Sequence, residues 1–318
     1  MLKIEQLSKY YGDKQTLNGV DFTIEPGEIV ALLGANGSGK TTIIRSICQL
    51  LEWEAGEIFF DNQNIRNSSE YLRRIGAVLD GSRNTHFRLT AIQNAEYFAR
   101  MRGAKGEQTR QYIRTMHSTL GLDEHAKKEL GKLSTGNKQK AALLCALSYQ
   151  PQLLLLDEPT LGLDLDTVAE LQKVITYCAK EHNQGFLITS HDMGFIDQIC
   201  TRVLVLSDGK IIFNGSITEL KQQLHSYQCY IELSPSQLTL LKPKLSELWS
   251  ISDEQIQLTD TSITIQYDEV NQSFATIKWL EEQSIVPVDL NISPLSIETA
   301  YRSLLQHDNS QTQLKEDS

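Results

Sequence analysis

The stretch Ile29-Val30-Ala31-Leu32-Leu33-Gly34-Ala35-Asn36-Gly37-Ser38-Gly39-Lys40-Thr41 decides how this chain is read. Its second half satisfies the pattern Gly-x-x-x-x-Gly-Lys-Ser/Thr. Its first half is a short apolar run, which predicts a buried strand over Ile29–Leu33. A helix-like segment follows over Thr41–Leu51. Glycines let backbone N–H groups turn inward around phosphate oxygens with no Cβ in the way. The N-terminus of the following helix adds partial positive charge aimed at the same anion. Gly34, Ala35, Asn36, Gly37, Ser38, Gly39, Lys40, Thr41 and Thr42 are therefore the candidate phosphate cradle. Lys40 would reach the β- and γ-phosphates, and the Thr41 hydroxyl would ligate Mg²⁺.

Further apolar runs at Leu153–Leu156, Gly185–Ser190 and Val203–Leu206 alternate with helix-like segments. That order predicts an α/β fold whose mostly parallel sheet is covered on both faces. Leu89–Lys132 is rich in Ala, Glu, Arg and Leu and lacks Pro, so an inserted helical lobe is expected, spanning about 89–150. Composition shifts near His225. From there the order of segments reads β-α-β-β-α-β: strand Tyr227–Leu233, helix Pro235–Trp249, strands Ile256–Leu258 and Ser262–Tyr267, helix Val270–Gln283 and strand Ile285–Ile292. This is the split βαβ pattern of ferredoxin-like domains. A helix over Ser296–Leu305 is expected after it. The domains are accordingly set at 1–222 and 225–306, with 307–318 a disordered tail.

Composition narrows the classes. The 318 residues carry 30 Lys and Arg against 40 Asp and Glu, a net charge of −10, which argues against a nucleic-acid partner. No apolar stretch approaches the roughly 20 residues that span a bilayer. The first twelve residues hold charges and no apolar h-region, so no secretory leader is expected. Five scattered cysteines fit reduced thiols in a cytosol better than disulfides or a metal site.

A second acidic element completes the nucleotide chemistry. Leu153–Leu156 runs into Asp157-Glu158, and a buried strand delivers its last side chains to the sheet's carboxyl end, where ligands bind. Asp157 is placed to hold the Mg²⁺ hydration shell. Glu158 is placed to activate the water that attacks the γ-phosphate.

Four more segments name a family. Leu133-Ser134-Thr135-Gly136-Asn137-Lys138-Gln139 resembles the Leu-Ser-Gly-Gly-Gln signature of ATP-binding cassette proteins, with Thr for the first Gly and Asn for the Gln. Glu158-Pro159-Thr160-Leu161-Gly162-Leu163-Asp164 resembles the family's exit from the acidic strand and its D-loop. Ser190-His191-Asp192 resembles its switch histidine. Tyr11 before Gly12 sits where the family places the aromatic that stacks on adenine, although Tyr10 could serve instead. The resemblance covers residues 2 to about 220, and it is closest to exporter cassettes.

The resemblance implies an ATPase subunit using ATP and Mg²⁺. Two copies pack head to tail, so that Ser134, Gly136, Asn137 and Asp164 of each help to seal ATP on the other. His191 would bond the γ-phosphate or the attacking water. A separate membrane-spanning permease is the expected partner, which puts the protein in the cytoplasm, peripheral on the membrane's inner face. Residues 80–103 would dock it, with Phe87, Tyr97 and Phe98 as apolar anchors or as the lobe's own core. The other reading is a soluble cassette ATPase without a permease, as in repair or translation. One phosphate loop, no extended heptads and an acidic balance speak against it.

One position departs from the pattern. After Ile75-Gly76-Ala77-Val78-Leu79 the family carries a Gln, and here Asp80 stands. Asp80 either reaches Mg²⁺ through a water or caps a turn with Gly81.

Overall fold

The computed structural model describes residues 1–66, 68–79, 85–222, 227–241, 256–267, 270–294, 296–302 and 304–305. The chain divides into two compact units, Met1–Ile217 and Thr218–Ser318.

The first unit runs β1 (Leu2–Tyr11), β2 (Lys14–Ile24), β3 (Ile29–Gly34), α1 (Lys40–Ile47), β4 (Ala55–Phe60), β5 (Gln63–Asn64), β6 (Ile75–Val78), α2 (Ala91–Met101), α3 (Glu107–Thr119), α4 (Thr135–Leu147), β7 (Leu153–Asp157), α5 (Leu165–His182), β8 (Gly185–Thr189), α6 (Met193–Ile199), β9 (Arg202–Ser207) and β10 (Lys210–Ser216). One sheet has the order β10-β9-β3-β8-β7-β6. Its strands from β9 to β6 are parallel, and β10 pairs antiparallel at one edge. β3, β7 and β8 are buried along their whole length, which explains their apolar sequences up to the terminal Asp157 of β7 and Thr189 of β8. A second, antiparallel sheet has the order β2-β1-β4-β5. Its strands alternate buried and exposed residues, the period-2 signature of a half-covered sheet.

Helix α1 joins the two layers. Ile43, Ile44 and Ile47 share one core with Ile4, Val20 and Phe60 of the antiparallel sheet and with Leu32 and Leu155 of the parallel one. Each such side chain contributes about 1.5–3 kcal/mol by leaving water. The helix is shorter than the sequence suggests. It stops at Ile47 because Gln49 adopts a left-handed backbone, φ 53°, and its side chain donates to the carbonyls of Ile65 and Ser68. Those bonds hold the chain away from a further helical turn.

Parallel strands put all their carboxyl ends on one side. Gly34, Asp157 and Thr189 end neighbouring strands there, and Asp157 is directly paired with Thr189. At the opposite end, Arg202 ties the layers together. Its guanidinium donates to Glu28 at 2.5 and 3.0 Å, to the Thr23 carbonyl and to Asn214. Burial alone would raise the Glu28 carboxyl, yet the bonds and charge of Arg202 hold it below the ordinary 4.5. A depressed carboxylate stabilises the fold fully above that ordinary value and loses its contribution as pH falls through the depressed one. Arg202→Met is expected to cost about 1–3 kcal/mol at neutral pH in urea unfolding. The difference from the parent should shrink as the pH drops below 4.

The second unit contains β11 (Tyr227–Glu232), α8 (Pro235–Leu241), β12 (Ile256–Leu258), β13 (Ser262–Tyr267), α9 (Val270–Glu282) and β14 (Asp289–Pro294), after α7 (Ile217–Gln222), which straddles the boundary. Its all-antiparallel sheet has the order β12-β13-β11-β14. With β11 first in sequence and central in space, this is the split βαβ arrangement. Cys229, Ile231, Ile263, Ile265, Trp279 and Leu280 form its core. The last strand starts at Asp289 rather than Ile285. Ser284 takes φ 54°, and Pro287 has no N–H to give a ladder. The part of the expected helix beyond Leu241 and the expected tail lie outside the described residues.

Candidate nucleotide site

The phosphate cradle lies between β3 and α1. Gly39 caps α1 with φ 114° and offers no side chain to the first-turn N–H groups, which leaves them free for an anion. A Cβ at Gly39 would lie 2.6 Å from Leu17 Cδ2, so both the backbone angle and the space require glycine. A Cβ at Gly34 would lie 2.5 Å from Ser38 Oγ and 2.6 Å from the Leu206 carbonyl. Gly34 therefore has no room for a side chain between Ser38 and β9.

Lys40 is buried, and its ammonium donates to the carbonyls of Gly34 at 2.6 Å and Ala35 at 3.1 Å. Those bonds hold the charge over the loop. Burial lowers its pKa from the ordinary lysine value, while Glu158 and Asp157 raise it. Thr41 lies one residue further on. Its hydroxyl donates to Asp157 Oδ2 at 3.3 Å. Thr42 is buried in the first turn of α1 beside it.

Asp157 is buried, and its other oxygen accepts from the Thr189 hydroxyl at 2.6 Å. Thr189 also orients the next residue. The Glu158 N–H donates to the Thr189 carbonyl and hydroxyl, both at 3.1 Å. Glu158 itself takes φ 51°, a left-handed conformation that costs a non-glycine residue energy. Its Oε2 accepts from the His191 N–H at 3.1 Å. Its Oε1 is buried and accepts no hydrogen bond among the described residues, with His191 Nε2 3.4 Å away. The His191 ring is more than half exposed. Hydrogen bonds thus join Thr41, Asp157, Thr189, Glu158 and His191 into one chain, with the Lys40 ammonium held over the loop beside it. Thr189 is the member that sequence reading misses. A threonine ending an apolar strand carries no signal by itself, and only its pairing with Asp157 gives it meaning.

The signature and D-loop residues stand at two other helix starts. Ser134 caps α4 and accepts from the Asn137 N–H at 3.3 Å. Asp164 caps α5 and accepts from the Thr167 N–H at 2.8 Å, which lowers its pKa. Gly136 joins these two starts, since a Cβ there would meet Thr167 at 3.3 Å. No bond connects Ser134, Gly136, Asn137 or Asp164 with the phosphate loop among the described residues. Tyr11 ends β1 with its ring half exposed. Asp80 lies outside the described residues.

A cavity of about 850 Å³ opens beside the acidic pair and runs under the helical lobe. Asp157 and Glu158 line one part of it, and Ala77, Phe98, Arg102 and Tyr149 another. Nearby, His86, Tyr97 and Phe98 form an aromatic cluster with ring centroids 4.7–6.3 Å apart. Phe87 and Tyr97 are exposed, while Phe98 is half-buried.

A strand, a glycine loop with its lysine, a helix and an acidic pair ending β7, two strands away from β3 in the sheet, define a P-loop nucleotide-binding cassette. Comparison with known proteins agrees. The ABC transporter family matches residues 17–161. The ABC transporter ATP-binding protein NatA of Bacillus subtilis is 31% identical over 231 residues, covering 71% of this chain and 94% of NatA. The bacitracin transport ATP-binding protein BcrA of Bacillus licheniformis is 29% identical over 306 residues, covering 96% and 97%. Among solved structures, the dimeric bacterial ABC transporter cassette MJ0796 has a TM-score of 0.62 at 26% identity, covering 68% of this chain and 98% of that one. The same cassette is also known in a post-hydrolysis dimer bound to ADP and Pi. The chain belongs to the ABC transporter family, as an ATP-binding subunit whose ATP hydrolysis is coupled to transport. No helix among the described residues is long and apolar enough to cross a membrane.

Proposed function

We propose that two copies of this chain close head to tail over two Mg-ATP and drive a separate membrane permease in the direction of export. The observation that carries the catalytic part is the chain of hydrogen bonds from Thr41 through Asp157 and Thr189 to Glu158 and His191, beside the Lys40 ammonium held over the loop. Lys40 and the N–H groups at the start of α1 bind the phosphates. Glu158 Oε1, buried and without a hydrogen bond, is the base that orients and deprotonates the attacking water. His191 fixes that carboxylate through its N–H and faces the γ-phosphate with its ring.

The residues fit Mg²⁺. Thr41 and Asp157 offer hard oxygen donors 3.3 Å apart. Among the described residues no group of three or more His, Cys, Asp and Glu could hold a metal alone. The cation would complete its shell with phosphate oxygens and water, as Mg²⁺ prefers. When bound, it offsets charge that builds on the phosphates during transfer.

Dimerisation is supported by the placement of the two capped helix starts. Ser134 and Asp164 are exposed and far along the chain from their own cradle, so a facing copy is their natural target. The dimeric cassette structure has the same fold. Export rests on the sequence's resemblance to exporter cassettes. The bacitracin transport subunit aligns with nearly the whole chain, second unit included. The phosphonates import subunit PhnC of Lactiplantibacillus plantarum, at 32% identity, covers 69% of it.

The permease docks on the lobe surface carrying Phe87 and Tyr97, at the mouth of the cavity that reaches Glu158. The working protein is then cytoplasmic and peripheral on the membrane. Membrane fractionation checks this, because a permease-bound subunit pellets with membranes and a soluble factor stays in the supernatant. Phe87→Ala should cut permease co-purification and ATPase stimulation by about tenfold, as removal of an exposed aromatic anchor does. Unchanged capture would move the docking surface elsewhere.

A further inference from the structure

If Tyr11 is the aromatic that stacks on the base, the structure shows what holds its ring. The Lys9 ammonium lies 5.5 Å from the Tyr11 ring centroid, over one face of it. Lys9 is buried, and its ammonium is fixed by Glu54 Oε1 at 2.7 Å. The other Glu54 oxygen accepts from the Tyr10 N–H at 2.9 Å, which pins the strand segment that carries the ring. Bonds from Lys9 and Tyr10 hold the Glu54 carboxyl below the usual carboxylate range. One carboxylate thus anchors both the cation and the backbone on either side of Tyr10.

The placement points toward the nucleotide. Lys9 is paired across the hairpin with Leu17, and Leu17 is the residue that a Cβ at Gly39 would strike. The Lys9–Tyr11 end of β1 is therefore built, through Leu17, against Gly39 at the helix end of the phosphate cradle. Tyr11 is half exposed, and the Lys9 ammonium stands over one face of its ring. A cation on one face of an aromatic ring draws its π density toward that side. The far face then becomes a better partner for an electron-rich purine. Because Glu54 neutralises the ammonium, the pair adds little net charge toward the phosphates.

We infer that Lys9, held by Glu54, is a positioning residue for the nucleobase, fixing the Tyr11 ring so that its far face receives adenine. This rests on the reading of Tyr11 as the stacking residue. It also favours Tyr11 over Tyr10, since the ring clamped by the cation is that of Tyr11.

The test compares two ligands on the full chain, Mg-ATP and magnesium with inorganic tripolyphosphate, which has the phosphates and no base. Binding is measured for the parent, Tyr11→Ala, Lys9→Arg and the charge-balanced pair Lys9→Met with Glu54→Gln. The pair should weaken ATP about fivefold to tenfold and leave tripolyphosphate within about twofold, and Lys9→Arg should stay within about twofold of the parent for both. Unchanged tripolyphosphate binding also shows that the variants are folded. A loss for Tyr11→Ala with no loss for the pair overturns the positioning role and keeps the stacking reading. No loss for Tyr11→Ala overturns both. Equal losses on ATP and tripolyphosphate place Lys9 in phosphate binding or in the fold, and overturn the inference.

Discussion

Lys40→Ala is expected to reduce ATP affinity and steady-state ATPase activity by at least about 100-fold, the scale seen when a charge aimed at a transferring phosphoryl group is removed. The ammonium is buried over the loop, so water cannot replace it cheaply. Burial lowers its pKa, the charges of Glu158 and Asp157 oppose that shift, and the carbonyls of Gly34 and Ala35 accept its hydrogen bonds. A conservative Lys40→Arg change should not restore activity, because a planar guanidinium cannot reproduce the point charge held by two carbonyls. The variants should keep the parent's unfolding midpoint within a few degrees. Fluorescent nucleotide titration and phosphate release check both statements.

Glu158→Gln is expected to separate binding from turnover. The amide keeps the size of the side chain and can still accept the His191 N–H bond. It cannot take a proton from water at Oε1, the atom that stands buried without a hydrogen bond. Hydrolysis should fall about 100-fold to 1000-fold while ATP affinity holds. With ATP bound and uncleaved, the two-copy state should accumulate, which light scattering after size exclusion reads as a doubling of mass. ADP should return the protein to single copies. Wild-type turnover in this variant would remove Glu158 from the role of base. The left-handed φ of Glu158 adds a second expectation: Glu158→Gly should relieve the backbone strain and raise stability slightly while still losing turnover.

The parts of the site that lie together along the chain are legible in the residues alone. The glycine loop requires specific backbone angles and a charge at fixed positions, and such demands leave a contiguous pattern. Asp157 and Glu158 are legible because a buried strand advertises its own end. Thr189 is not, because it acts only through a neighbouring strand. The signature residues are visible by resemblance rather than by chemistry, as Ser134 and Asp164 on their own are ordinary helix caps.

The fold divides in the same way. β3, β7 and β8 stand out because both faces are buried and their residues are apolar up to the last position, where β7 ends in Asp157 and β8 in Thr189. The antiparallel layer at residues 2–24 and 55–64 gives no comparable strand signal. Its alternation is interrupted by shifts of register between Ile4 and Leu7 and between Leu7 and Lys9. A bulge moves the buried residues from even to odd positions, and a period-2 pattern is then lost to the eye. The end of α1 at Ile47 depends on bonds from Gln49 to residues some twenty positions away, which local propensity cannot contain.

Equilibrium dialysis of the full chain against labelled ATP with Mg²⁺ tests the central claim most directly. The structure predicts uptake of about one nucleotide per chain, displaced by inorganic tripolyphosphate and lost in Lys40→Ala. No uptake by well-folded protein, or uptake that survives removal of the Lys40 ammonium undiminished, would contradict it.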